Sequence, residues 1–117
     1  MQGYQELIVW QKSVELVVEV YMLTKQFPRE EIYGLISQIR RAAVSMPSNI
    51  AEGRMRGYRK ELRQFLLSAY GSGGELETQI VIAKRLPEIQ ELDYSRVDAL
   101  LLEVMKMLNK MIASLRT

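Results

Sequence analysis

Apolar residues recur at intervals of three and four residues through four separate stretches of this 117-residue chain. In the third stretch, the residues at this spacing are Leu62, Leu66, Ala69, Gly73, Leu76, Ile80 and Ala83. In the fourth stretch they are Tyr94, Val97, Leu101, Val104, Leu108, Met111 and Leu115. Such spacing places apolar side chains along one face of an α-helix, and no stretch alternates as a half-buried strand would. The pattern therefore predicts an all-α fold.

Proline and glycine mark the ends of these stretches. Pro28 follows the first stretch and Pro87 follows the third. Gly53 and Gly57 bracket an expected loop after the second. The predicted helices cover about residues 7–26, 30–52, 58–85 and 93–115. Because short connections favour antiparallel neighbours, we predict one domain, residues 1–117, folded as an up-and-down antiparallel four-helix bundle.

The second predicted helix contains a proline, Pro47, within its helical pattern. The apolar positions keep one phase on both sides of it, at Ile32, Ile36, Ile39, Ala43, Met46 and Ile50. Proline lacks an N–H, and its ring clashes with the carbonyl group four residues earlier. We therefore predict a helix that is kinked at Pro47 but not interrupted. The side chains of Ser45, Ser48 and Asn49 can bind backbone groups that the kink frees.

Two polar residues beyond the proline have alternative interpretations. A buried Asn49 would fix helix register or subunit pairing through its hydrogen bonds, whereas an exposed one would be a turn residue. We favour the structural role over ligand binding. Glu52 would pair with Arg40, with Arg41 or with a neighbouring chain, or would be a surface residue near the end of the helix. Asp93 or Ser95 can cap the fourth helix, because either side chain can accept an unpaired backbone N–H.

The first predicted helix carries two apolar stripes. One comprises Leu7, Trp10, Val14, Val17 and Tyr21. The other comprises Val9, Leu16, Val20, Leu23 and Phe27. Together they cover more than half of the helix surface, whereas a bundle helix needs only one apolar face. We therefore expect homo-oligomerisation; the alternative is a helix that is unusually buried within one monomer.

The chain contains no cysteine and no histidine. Disulfides, thiol catalysis, imidazole acid–base chemistry and the common zinc sites are therefore excluded. We predict no enzyme activity, no metal and no cofactor, and we disfavour a small enzyme using Glu52 and Tyr58. The glycine-rich segment 70–77 lacks the strand and the Lys-Ser/Thr of a phosphate-binding loop. We interpret Gly73 as a point of close helix packing or of a local bend.

The absence of cysteine favours a reducing cytoplasm, and the hydropathy pattern predicts no membrane contact. No apolar run approaches the roughly 20 residues that cross a bilayer. The first residues, MQGYQELIVWQKS, lack the basic region, apolar run and cleavage site of an export signal.

Charge is segregated along the chain. Residues 40–63 contain seven basic residues against two acidic ones, whereas the rest of the chain contains nine basic and twelve acidic residues. Arginine and lysine around a turn can bind phosphates, and an aromatic ring can stack on a base. The predicted nucleic-acid-binding residues are Arg40, Arg41, Arg54, Arg56, Tyr58, Arg59, Lys60 and Arg63. The alternative is an ordinary solvated turn.

Three segments carry a resemblance to a known family. LIVWQKSVELV, EEIYGLISQIRRAAVSMPSNIAEG and ELRQFLLSAYGSGGELETQIVIAKRL resemble the four-helix bundle family of 23S rRNA intervening-sequence proteins. These bacterial proteins are named for reading frames inside insertions in ribosomal RNA genes. The resemblance covers roughly residues 7–86. The signature positions that match are Arg40, Arg41, Ser45, Pro47, Asn49, Glu52 and Gly53.

The resemblance implies a ring-shaped homopentamer of four-helix bundles, with no established active-site residues. Distant relatives, the accessory variability determinants of diversity-generating retroelements, bind a reverse transcriptase and nucleic acid through a basic surface. Relatives often have Ser or Thr before the third helix, where this chain has Gly57 and Tyr58. That departure predicts a weaker helix cap and an additional aromatic residue beside the basic cluster.

We therefore expect a non-enzymatic, homo-oligomeric bundle, pentameric by resemblance, that binds nucleic acid through the turn between the second and third helices. RNA is favoured over DNA. The alternative is a protein-interaction module, either an accessory subunit of a retroelement reverse transcriptase or a scaffold with no nucleic-acid role.

Overall fold

Four helices form the bundle. The structure, a computed structural model, describes residues 3–116, without the side chains of residues 31–33. The helices are α1 (Ile8–Thr24), α2 (Ser37–Arg56), α3 (Arg59–Lys84) and α4 (Ser95–Ser114). Consecutive helices pack against each other, and α4 returns to pack against α1. The bundle measures 46 × 20 × 20 Å, and the described range contains no strand. The predicted all-α four-helix bundle is confirmed.

The core is built from one face of each helix. Its fully buried side chains include Leu16 of α1, Met46 of α2, Leu76 of α3 and Leu108 of α4. Burying one such side chain contributes about 1.5–3 kcal/mol relative to leaving it exposed. Of the two apolar stripes on α1, the one that includes Leu16 is buried, whereas the other is half-buried and ends at the exposed Tyr21.

Helix α2 continues through Pro47 without interruption, as predicted. Its beginning differs from the prediction. A 3-10 turn (Arg29–Glu31) leads into a π-helical turn (Ile32–Ile36), and α2 follows directly. Within the π-helical turn Gly34 leaves the helical region, with φ −107° and ψ −108°, so regular α-helix begins later than expected. The side chain of Ile32, which the pattern places on the apolar stripe, lies outside the described residues.

The end of α2 corrects the prediction of a loop after residue 52. The helix continues through Gly53, which is buried against α3, to Arg56. A methyl group on Gly53 would lie 2.7 Å from Cβ of Phe65, so glycine here permits close packing of the two helices rather than a loop. Gly57 ends the helix with a φ of +80°, a conformation that favours glycine. The connection between α2 and α3 is therefore only two residues long.

Two further local predictions concern the start of α4 and Gly73. Tyr94 occupies the N-cap position of α4 and makes no side-chain cap, but the preceding Asp93 binds the first N–H of the helix. The carboxylate of Asp93 accepts hydrogen bonds from the backbone N–H (3.0 Å) and hydroxyl (2.6 Å) of Ser95, the first residue of α4. These hydrogen bonds lower the pKa of Asp93. Gly73 is a point of close packing, because a methyl group there would overlap the sulfur atom of Met105. No helix in the described part of the chain combines the length and apolar character needed to cross a membrane.

Candidate nucleic-acid interface

The basic residues around the turn occupy two helix ends; Arg54 and Arg56, predicted to lie in a loop, belong to α2 instead. Arg54 and Arg56 lie on the last turn of α2, and α3 begins at Arg59. Gly57 donates its N–H to the carbonyl oxygen of Arg54 at 3.3 Å, which closes the turn. Tyr58 is extended and makes no side-chain cap, as the absence of Ser or Thr predicted. Two helix ends and a short connection therefore hold the basic cluster in a defined position.

Arg56 is partly neutralised by its neighbours. Its guanidinium group lies 2.9 Å from the Glu52 carboxylate and 4.0 Å from that of Glu61. The hydrogen bond to Glu52 raises the pKa of Arg56 above its ordinary value. Glu52 thus pairs with Arg56, one turn away, rather than with Arg40 or Arg41, which lie at least about three turns earlier on the same helix. These two carboxylates reduce the positive charge at this point of the surface.

Arg59 and Arg63 reach from α3 to the end of α4. A terminal nitrogen of Arg59 donates to the carbonyl oxygen of Ser114 at 2.7 Å, and Nε of Arg63 donates to that of Ile112 at 3.3 Å. The last carbonyl groups of a helix lack intrahelical partners and carry partial negative charge. The two arginines therefore stabilise the end of α4 while each keeps further N–H groups for an external ligand.

A groove of about 540 Å³ opens between the start of α3 and the end of α4. We call it the basic groove; its charged lining residues are Arg59, Lys60, Arg63 and Arg116. None of the described residues that line the groove carries a carboxylate. Arg116 was not predicted as a site residue, although the antiparallel topology brings the end of the fourth helix beside the start of the third. The predicted antiparallel topology could therefore have indicated that Arg116 belongs to the site.

Tyr58 stands beside this groove with its ring in solvent. Its side chain is 70% exposed, and it shares a smaller cleft of about 210 Å³ with Arg54 and Arg59. An exposed aromatic ring next to guanidinium groups is the combination that binds single-stranded nucleic acid, by base stacking and phosphate contact.

Arg40 and Arg41 do not belong to this surface. Arg40 and Arg56 are sixteen positions apart in the sequence, which corresponds to about 24 Å along an α-helix. The two residues instead line a cleft between α1 and α2 at the opposite end of the bundle. The eight residues predicted to bind nucleic acid therefore divide into two separate groups, one of two residues and one of six.

The signature residues around Pro47 make helix-to-helix contacts. The hydroxyl groups of Ser45 and Ser72 are hydrogen-bonded at 2.8 Å, which joins α2 to α3. The Asn49 amide donates to the carbonyl oxygen (2.8 Å) and the hydroxyl (2.9 Å) of Ser45. Asn49 is half-buried inside α2, so it is not the solvent-facing turn residue of the alternative interpretation. Its hydrogen bonds hold Ser45 in position against α3.

No cluster of three or more acidic side chains able to hold a metal ion occurs in the part of the chain that the structure describes. The features left for function are the basic groove, the cleft that contains Arg40, and the exposed apolar positions.

Comparison with known proteins identifies one family. A sequence model of the family described as 23S rRNA-intervening sequence protein matches residues 5–110, nearly the whole chain. No curated protein gives a significant match.

Proposed function

Because the chain belongs to the 23S rRNA-intervening sequence protein family, we propose that it is a non-enzymatic, homo-oligomeric bundle that binds nucleic acid through the basic groove. The supporting observation is the groove itself, in which four cationic side chains line one opening without a carboxylate among its described lining residues. A nucleic-acid strand offers closely spaced phosphates that such a groove attracts at any base sequence. RNA is the favoured ligand, since the family is named for insertions in ribosomal RNA genes.

The groove residues are expected to contact a nucleic acid in different ways. Arg59 and Arg63 are held by their hydrogen bonds to α4, so their remaining N–H groups are oriented before a ligand arrives. Lys60 and Arg116 are exposed and form none of the ion pairs found among the described residues. We assign to these two the adaptable phosphate contacts, and to Tyr58 the stacking on a base.

The proposed homo-oligomer, a pentameric ring by resemblance, is supported by exposed apolar residues on α1. Ile8 is 61% exposed, Val18 54% and Met22 61%. At intervals of ten and four residues, these side chains fall within about 80° of the helix circumference and form an apolar line on the side turned away from the core. A second copy that covers this line would remove apolar surface from water. In a ring, the basic groove would be repeated once per subunit, which would strengthen its field.

The same apolar line also suits a protein-interaction module, such as an accessory subunit of a reverse transcriptase. Light scattering on the purified protein distinguishes the two functions. A homo-oligomer at micromolar concentration supports self-association, whereas a monomer contradicts it and favours a different protein as the occupant of this face.

The nucleic-acid function is tested by fluorescence anisotropy with a labelled single-stranded RNA at low salt. The double variant Lys60→Glu/Arg116→Glu reverses two groove charges without removing a hydrogen bond to α4. The matched control, Arg85→Glu/Lys106→Glu, makes the same change in net charge at exposed positions outside the groove. We expect the groove variant to lose most of its affinity and the control to lose little. An equal loss of RNA affinity in the groove variant and in the control would contradict the proposal.

A further inference from the structure

A second cationic site lies at the other end of the bundle. A cleft of about 660 Å³ separates the end of α1 from the beginning of α2. Its four basic lining residues, which define the cationic cleft, are Lys25, Arg29, Arg40 and Arg41. Arg40 and Arg41 come from α2, whereas Lys25 and Arg29 lie in the connection that follows α1, so the fold brings together residues up to sixteen positions apart.

The charges of the cationic cleft are not neutralised within the described part of the chain. Among the residues whose side chains the structure describes, the lining includes no carboxylate, and none of their ion pairs involves any of the four bases. Arg56, at the opposite end of the bundle, differs, because it is paired with the carboxylates of Glu52 and Glu61. The four bases of the cationic cleft have no such carboxylate partner among the described residues.

Arg40 is fixed in position before any ligand binds. Its Nε donates to the hydroxyl oxygen of Thr24 at 2.8 Å, and its guanidinium carbon lies 4.4 Å from the centre of the Tyr21 ring. The Thr24 hydroxyl is buried and donates in turn to the carbonyl oxygen of Val20 at 2.8 Å. A guanidinium group held in this way loses less conformational entropy when it binds a further partner.

We propose that the cationic cleft is a binding site for a phosphate group. A guanidinium fork matches the geometry of phosphate oxygens, and a carboxylate, with a single charge, would leave most of the four cations unused. Ser37 adds a half-buried hydroxyl to the lining. Arg40 supplies the fixed contact, while the exposed Lys25, Arg29 and Arg41 close around the ligand. The site is independent of the basic groove and stands whether or not the groove binds RNA.

The phosphate group has two chemical sources, a free phosphate compound and the phosphodiester backbone of a nucleic acid. Isothermal titration calorimetry at low salt separates them with two probes. Inorganic pyrophosphate represents the free compound, and an oligouridylate with hydroxyl groups at both ends carries internal phosphodiesters only. The oligouridylate is titrated into protein that carries Lys60→Glu/Arg116→Glu, so that binding in the basic groove does not contribute.

The decisive comparison uses two triple variants of equal charge change. Lys25→Gln/Arg29→Gln/Arg41→Gln removes the exposed cations of the cleft. The control, Arg85→Gln/Lys106→Gln/Lys110→Gln, removes three exposed cations elsewhere. We expect the cleft variant to bind at least one probe about tenfold more weakly, from three weakened charge contacts, and the control to bind it nearly as wild type.

Each outcome decides the proposal. Weakened pyrophosphate binding in the cleft variant alone supports a free phosphate compound, and weakened oligouridylate binding alone supports the phosphodiester source. Equal losses in both variants, or no binding of either probe to the wild-type cleft, would overturn the proposal. Circular dichroism checks that the variants fold. If the cleft variant does not, the single exposed change Arg41→Gln replaces it, with an expected loss of about threefold.

Discussion

The close packing of α2 on α3, which positions the basic groove, is tested by replacing Gly53 with alanine. This glycine is buried inside α2. The added methyl carbon would lie 2.7 Å from Cβ of Phe65 and 3.3 Å from Cδ1 of Leu62. The leucine carbon can move by a change of rotamer. The phenylalanine Cβ is bonded directly to the α3 backbone, so the two helices must move apart.

The change in the free energy of unfolding caused by Gly53→Ala follows from two opposing effects. Carbon atoms in good contact lie about 3.5–4.0 Å apart, so the overlap with Phe65 is about 1 Å. Overpacking costs about 1–3 kcal/mol, and an overlap of this size with an atom near the backbone indicates the upper half of that range. Alanine gains about 1 kcal/mol over glycine in a helix interior. We therefore expect Gly53→Ala to lower the free energy of unfolding by about 1–2 kcal/mol.

Gly71→Ala is the matched control. Gly71 is exposed in the interior of α3, and a methyl group there would have no atom within 4 Å. Only the helix-propensity gain applies, so this variant should be more stable than wild type by about 1 kcal/mol. Urea denaturation followed by far-UV circular dichroism measures both changes. If Gly53→Ala were as stable as Gly71→Ala, the packing argument would be refuted.

Three further outcomes are expected. Tyr58→Ala should weaken binding of single-stranded RNA by about 1–3 kcal/mol through lost base stacking, with unchanged stability; unchanged anisotropy titrations would exclude the stacking role. Arg63→Gln should destabilise the end of α4 by about 0.5–1 kcal/mol, because Ile112 loses a cationic donor at the helix C-terminus. Amide hydrogen exchange in α4 measures this change, and unaltered protection there would contradict it. Asp93→Asn should be less stable than wild type at neutral pH. Since the folded-state pKa of Asp93 lies below 3.8, the advantage of wild type should be full above pH 3.8 and disappear as pH falls through the folded value. A stability difference that stays constant across this pH range in thermal melts would contradict the prediction.

The helix pattern could be predicted because it depends on periodicity, which a sequence displays directly. The apolar stripe of α3 and its bounds agree with the structure to within one residue. The bounds of α2 could not be predicted in this way. Gly53 and Gly57 are the same residue type, yet one is buried in close packing and the other ends the helix with a positive φ. Only the approach of α3 distinguishes them.

The charge cluster was visible in the sequence, but the partners of its members were not. Arg59 and Arg63 bind backbone carbonyl groups about fifty residues away. Because every residue has a backbone carbonyl group, the sequence does not indicate which one an arginine binds. The separation of Arg40 and Arg41 from the turn was predictable, since helix rise alone places them more than 15 Å from Arg54. Arg116 and Lys25 could be assigned to their sites only with knowledge of the topology. Each lies just beyond the end of one helix and lines a site together with residues of another helix.

The salt dependence of RNA binding tests the basic groove most directly. If about four cationic side chains contact phosphates of a single strand, the logarithm of the association constant should fall with the logarithm of salt concentration at a slope of about −3. The neutral variant Lys60→Gln/Arg116→Gln should reduce that slope by about 1.4, whereas Arg85→Gln/Lys106→Gln should leave it unchanged. No binding at low salt, or a slope that the groove variant does not alter, would contradict the proposal that this end of the bundle binds nucleic acid.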